Sequence, residues 1–367
     1  MHRLPVLEGR RATLEKCVFC PKLCRSACPV SNVELTETLT PWGKMSSVYF
    51  VAHGDVPATP SFGKTSLACT GCYACRDLCD HKNDVAGTLL AARAAEAALG
   101  ILPASATGVA RRFPELRAAS REAVEALGPR ADLHANAETA LLIGCSYARR
   151  AAPEARDAIQ ATTGLLRERV ALVDECCGLP LLHAGDVEGF RRQAARLAES
   201  VEGRRRVVVV DAGCSAAVLL RYPEVGVHVG PKVEIFANLA ATEVGRMSPP
   251  PSPRPVRYHD PCQLGRGLGV YEAPRRVLTR AAGRPPEEFV GRGRGAACSG
   301  AGGLLPVTMP ETARAIAAAR QREHASLGGG EIVTACASSL LALRKAGDAR
   351  VSDLVSWVAR AVPPLGP

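Results

Sequence analysis

From residue 139 onward, short apolar, β-branched runs alternate with longer stretches whose apolar positions recur every three or four residues. TALLIG (139–144), VALVD (170–174) and RVVVVD (206–211) are continuous apolar runs of strand length, the pattern of strands covered on both faces. The intervening segments 151–166 and 187–201 read as helices, the second with Phe190, Ala194, Leu197 and Val201 on one face. The order then repeats. PVRYHD (255–260), a shorter apolar piece at 287–290, a helix over 311–326 and EIVTA (331–335) lead to a last helix over 351–362, which buries Val351, Leu354, Val355, Val358 and Val362. Strands alternating with helices predict two α/β units with parallel sheets. The stiff segment PPPSPRP (249–255) separates them.

Cysteines punctuate this pattern. Cys145, Cys176, Cys177, Cys214, Cys262, Cys298 and Cys336 mostly follow the apolar runs, and the distance from Cys176 to Cys214 is 38 residues, as it is from Cys298 to Cys336. Such a recurrence indicates internal duplication. In parallel α/β sheets the carboxyl ends of the strands face the ligand crevice, so these thiols are expected along one rim of each unit. The alternative is that they are small buried hydrophobes, which cysteine often is.

Eight further cysteines form two runs, Cys17-x2-Cys20-x3-Cys24-x3-Cys28 and Cys69-x2-Cys72-x2-Cys75-x3-Cys79. Three closely spaced thiolates plus a distant fourth are what an iron–sulfur cubane needs, and in the two-cluster pattern the fourth Cys of each run serves the other cluster. The expected sets are Cys17, Cys20, Cys24 with Cys79, and Cys69, Cys72, Cys75 with Cys28, holding two [4Fe-4S] clusters. The first run has one extra residue between Cys20 and Cys24, and no proline follows Cys79. Zinc shares the x2 spacing but usually takes two separated pairs. Disulfides suit a secreted chain, whereas the opening MHRLPVLEGRR carries no apolar leader, so a reducing, cytoplasmic setting is expected.

Composition narrows the classes. No apolar stretch approaches the roughly 18 to 20 residues of a spanning helix. The formal charge of +10 comes mainly from scattered Arg, and aromatics are 4% of the chain, which leaves little to stack on bases, so no nucleic acid is expected.

Cys176-Cys177-Gly178 with Cys145 before it and Cys214 after it, and the second copy Tyr258-His259-Asp260-Pro261-Cys262, Cys298-Ser299-Gly300-Ala301-Gly302-Gly303 and Thr334-Ala335-Cys336, resemble tandem cysteine-rich CCG domains. That family includes the heterodisulfide reductase B subunit and the iron–sulfur subunits of glycolate oxidase, lactate utilisation enzymes and anaerobic glycerol-3-phosphate dehydrogenase. The resemblance implies an α+β protein, with a small helical ferredoxin-like two-cluster domain (1–100), a helical linker (101–138) and two α/β CCG repeats (139–248 and 255–367). It further implies an oxidoreductase subunit relaying electrons between a flavoprotein dehydrogenase or other redox partner and a quinone or other acceptor, with peripheral contact at the inner membrane face through such partners. Disulfide reduction and a non-redox, metal-stabilised interaction module are the alternatives. The closing pairs of the family's motif are incomplete here, since Ala217 and Ser339 stand where a last Cys is expected and Ser299 replaces the second Cys of CC. Repeat one keeps four thiols, enough for a third cluster; repeat two keeps three.

Gly178, Gly300 and Gly302 are expected to bring backbone N–H groups close to a cofactor. His259, beside Asp260 and Cys262, is the candidate proton-transfer residue. The phosphate-loop-like Ser61-Phe62-Gly63-Lys64-Thr65 lacks its first glycine.

Overall fold

A computed structural model describes residues 4–128 and 133–365, and it divides into two compact units. The first takes residues 4–113 together with Leu179–Phe190 and Arg294–Arg320; the second takes the described remainder. The expected domain limits are therefore crossed twice. Segments that follow Cys177 and that carry Cys298 belong to the N-terminal unit, which also extends past residue 100. Of the expected linker, helix Ala104–Arg111 lies in the first unit and most of helix Phe113–Glu125 in the second, and 129–132 lie outside the described residues.

The first unit is helical. Leu14, Met45, Val48, Val51, Phe62, Val85, Leu89, Ala92 and Ala95 form its core. Helix Pro41–His53 is framed by signals that the sequence carries: the Thr40 hydroxyl accepts from Gly43 N at 3.0 Å, Pro41 occupies the first turn, and Gly54 closes it at φ 89°. SFGKT lies within helix Pro60–Leu67, so no phosphate loop forms.

The second unit holds both sheets. β1 (Thr139–Leu142), β2 (Val170–Leu172), β3 (Arg206–Val209) and β4 (Lys232–Ile235) pair in parallel in the order β2-β1-β3-β4. β5 (Val256–Tyr258), β6 (Glu287–Glu288), β7 (Glu331–Thr334) and β8 (Arg350–Asp353) repeat it as β6-β5-β7-β8. All four residues of β1 are buried, as its unbroken apolar run requires. Helix Ala152–Leu166 packs on Leu354–Ala361, and Glu272–Ala282 on Phe236–Thr242. Each pair joins a helix after one repeat's first strand to a helix after the other's fourth, so the two repeats are related by a pseudo-two-fold. Gly164 permits the first of these approaches: a Cβ there would lie 2.7 Å from the Pro363 carbonyl oxygen.

Two strands have no counterpart in the apolar pattern. KVEI of β4 alternates charged and apolar residues at a sheet edge, and RVSD of β8 overlaps the start of the expected 351–362 helix. That helix starts only at Leu354, because the Asp353 carboxylate accepts from Val355 N at 3.0 Å and caps it. Val351 is buried on the strand instead.

Candidate metal centres

In the first unit the two cysteine runs interleave. Cys17 ends helix Arg11–Val18, Cys28 leads into Pro29–Glu34, and Cys75 lies in Ala74–Leu78. Gly71 (φ 66°) and Tyr73 (φ 60°) turn the second run sharply enough to bring its thiols to one side. Cys28, Cys69, Cys72 and Cys75 line one small cavity, together with Lys44. Burial pushes the Cys75 thiol well up, and Cys72, Cys69 and Cys28 push it further. Cys17 behaves likewise. Burial carries it up to about 11 against a hydrogen bond from Asn83, with Cys24, Cys79 and Cys20 as its charged neighbours, and Cys24 also rises to about 11, through burial, Cys79 and Cys20. Cys79 is thus a neighbour of Cys17 and Cys24, Cys28 lines the cavity of the second run, and Cys24 also feels Cys28 and Cys75.

Thiols crowded together and buried or half-buried resist ionisation unless a cation takes up their charge. As a donor set they fit a thiolate-bound cluster. Donors already point at the sulfurs: Lys44 Nζ reaches Cys28 Sγ at 3.3 Å, Asn83 Nδ2 reaches Cys17 Sγ at 2.9 Å, and Gly71 N reaches Cys69 Sγ at 3.4 Å.

Cys298 belongs to this unit. Its sulfur lies 3.6 Å from Thr70 Oγ1 and accepts from Gly300 N at 3.3 Å. Gly302 serves a different purpose from the one expected. A Cβ at Gly302 would lie 2.3 Å from the Thr70 carbonyl oxygen, and one at Gly303 2.1 Å from that of Cys69, so these glycines let the chain press on the backbone of the second cysteine run. The buried Arg93 ties the parts together, donating to the carbonyls of Ser66, Cys69, His183 and Gly303.

In the second unit, Cys145 follows β1, Cys176 and Cys177 follow β2, and Cys214 lies in the short helix Ala212–Ala216 after β3. The structure brings these four together. Cys176 Sγ is 3.8 Å from Cys145 Sγ, and Cys177 lies near enough to Cys176 and Cys214 for each to shift its ionisation. Cys177 pulls the Cys214 thiol down, but burial and Asp211 carry it up to about 12. Gly178 stands two residues after Cys176, the place that Gly300, whose N–H reaches the Cys298 sulfur, holds after Cys298. Among the described residues no three His, Cys, Asp or Glu side chains chelate a single ion; the thiols form a chain.

Supports for this quartet give no signal in the sequence pattern. Gln193 donates to the Cys176 carbonyl and to Glu175 Oε2, both at 2.9 Å, and Tyr222 Oη donates to the Cys177 carbonyl at 3.1 Å. Burial opposes the ionised Glu175, yet hydrogen bonds from Arg117 and Gln193, with the charge of Arg121, hold it down at about 2. Asp211 is findable as a helix cap: it accepts from Gly213 N and Cys214 N, and also from Ala337 N at 3.0 Å.

The other second-unit candidates have other surroundings. Cys336 precedes helix Ala337–Ala346, and burial followed by Asp211 raises it to about 12 despite hydrogen bonds from Ser339 and Ser338. Cys262 opens a π-helical turn, Gln263–Gly267, in which Gly265 makes room for Tyr271. His259 is buried edge-on to Phe289, and its neighbour Asp260 is committed to Arg275, through two contacts of 2.8 Å, and to Gly293 N.

The chain resembles known redox proteins over most of its length. It is 26% identical to the B subunit of the CoM/CoB fumarate reductase of Methanothermobacter marburgensis over 363 residues, covering 93% of this chain and 71% of that one. Against the D subunit of the dihydromethanophenazine:CoB–CoM heterodisulfide reductase of Methanosarcina barkeri the identity is 31% over 193 residues, 49% of this chain and 46% of the relative, so the chain spans under half of that protein's length. A crystal structure of a hypothetical protein from Helicobacter pylori shares the fold, with a TM-score of 0.57 at 9% identity over 99% of this chain and 76% of that one. No helix among the described residues is long and apolar enough to cross a membrane. Residues 139–218 and 256–344 each match the cysteine-rich CCG domain, so the chain carries that domain twice, and it is similar to subunits of the fumarate and heterodisulfide reductases.

Proposed function

We propose that this chain is an electron-relay subunit with two [4Fe-4S] clusters in its first unit and a third iron–sulfur cluster in CCG repeat one. Cys17, Cys20, Cys24 and Cys79 would hold one, Cys28, Cys69, Cys72 and Cys75 the next, and Cys145, Cys176, Cys177 and Cys214 the third. Such clusters supply one-electron transfer, at potentials tuned by burial and by hydrogen bonds to sulfur. The protein's part is to fix the sulfurs, exclude water and aim N–H donors, as Asn83, Lys44 and Gly71 do. The observation that carries the reading is the cavity lined by Cys28, Cys69, Cys72 and Cys75, with one ligand drawn from the other run. Electrons would pass between a redox partner of the flavoprotein dehydrogenase class and a quinone or other acceptor.

A second reading, disulfide reduction at the CCG thiols, is favoured by the heterodisulfide reductase relative. Against it stand Ala217 and Ser339 in place of the closing cysteines. Iron and acid-labile sulfide analysis of the anaerobically purified full chain tests the relay. About eight or more of each per chain is expected from the cubane stoichiometry; bound zinc with little iron would falsify it. Reduction of an asymmetric disulfide by the pre-reduced chain would favour the second reading.

A further inference from the structure

We infer that Lys44 sets the cluster site of Cys28, Cys69, Cys72 and Cys75 at a higher reduction potential than the site of Cys17, Cys20, Cys24 and Cys79, so that electrons entering the first unit collect at the former. The inference rests on the two-cluster reading and adds a gradient to it. Lys44 is 1% exposed, sits in the first turn of helix Pro41–His53 and lines the cavity. The acceptor its ammonium reaches is a sulfur, Cys28 Sγ at 3.3 Å. A buried ammonium is costly without an anion beside it, and a reduced, thiolate-bound site supplies that anion best.

A second cation adds to the effect. Arg93, 2% exposed, gives its N–H groups to carbonyls, that of Cys69 among them at 2.9 Å, and none of these acceptors cancels its charge. The nearby Glu96 carboxyl, pushed up to about 8 by burial, is held in its neutral form and leaves that charge standing. The other site lacks this arrangement. Its sulfur donor is the uncharged Asn83, and the cations on its segments are exposed, as Lys16 and Lys82 are, or lie beside a carboxylate, as Arg10 does beside Asp84 at 3.0 Å and Arg25 beside Glu37. Burial by itself disfavours adding an electron, but it also strengthens the field of a cation in contact with a ligand sulfur. Cys69 and Cys75 keep partial exposure, so two buried charges outweigh a partial loss of water. The step is an electron passing from one reduced site to one oxidised site, with no proton or bond exchanged.

The test is an EPR-monitored redox titration of the full chain, with dithionite as reductant. Wild type should show two resolved midpoints from the first unit, and the signal disturbed by Cys72→Ser should be the higher one. Lys44→Met and Lys44→Gln should retain iron and move that midpoint down toward the other, while Lys44→Arg should largely restore it. An unmoved higher midpoint, or assignment of the Cys72→Ser signal to the lower one, overturns the inference, and the second of these decides even if the Lys44 variants lose iron. Absence of clusters from wild type would instead overturn the two-cluster reading.

Discussion

The two CCG repeats share one strand order and differ in what they place at the strand ends. Repeat one gathers Cys145, Cys176, Cys177 and Cys214 into a chain of contacting thiols. The thiols of repeat two have other company. Cys298 keeps company with Thr70 and Gly300 in the first unit, and Cys336 with Asp211 and Ser339 in the second. Where β3 of repeat one runs on to Asp211, β7 of repeat two runs on to Cys336; where β4 ends in Ile235, β8 ends in Asp353. A duplicated scaffold has thus kept its hydrophobic frame in both copies while the residues facing its crevice diverged, which is how function is grafted on a fold.

The largest effect should come from the thiols themselves. Cys177→Ala should remove one cluster's worth of iron, about four per chain for a cubane, with most of the electron transfer to an artificial acceptor. Cys298→Ala should cost little iron, because Ser299 stands beside it where the family's motif has a second thiol. Equal iron loss in the two variants would erase the distinction between the repeats.

Next in size is the carboxyl that only repeat two carries. Burial raises Asp353 to about 7, against hydrogen bonds from Tyr147 and Val355 N. Its folded pKa lies above the ordinary carboxyl value, so the native state holds more protons and stability falls as pH rises from about 4 to about 7. Asp353→Asn keeps an acceptor for Tyr147 while abolishing the ionisation. It should gain on wild type as pH rises, by a few kcal/mol at about pH 8 on the relation of about 1.36 kcal/mol per unit. Denaturant unfolding at pH 5 and pH 8 checks this; parallel shifts at both would mean that the carboxyl is paired in a way that cancels its burial.

Much of this is legible in the chain because hydrophobic period and ligand spacing are local. The runs at 139–144 and 206–211 become β1 and β3, and Cys28 lines one cavity with Cys69, Cys72 and Cys75. What stays hidden depends on long-range closure. β4 and β8 are edge strands whose charged residues break the apolar pattern. Lys44, Asn83, Gln193 and Tyr222 reach sulfurs or carbonyls between 16 and 66 residues away, so no spacing rule marks them. Gly302 is legible as a glycine required for close approach, but the partner is the Thr70 backbone.

The finest test of the comparison uses one hydroxyl from each repeat. Tyr222, fully buried in repeat one, donates to the Cys177 carbonyl at 3.1 Å. Tyr222→Phe leaves that carbonyl without this donor, so a loss of about 1 to 2 kcal/mol is expected. Tyr258 of repeat two is equally buried, but its hydroxyl has no hydrogen-bond partner among the described residues. Removing it relieves an uncompensated polar group, while the ring beneath Arg275, 5.2 Å away, is kept. Tyr258→Phe should therefore leave the thermal midpoint unchanged or slightly raised, and Tyr222→Phe should lower it. If Tyr258→Phe costs as much as Tyr222→Phe, the hydroxyl of repeat two holds a partner in solution, and the polar surroundings of the two repeats are closer to equal than their cysteines suggest.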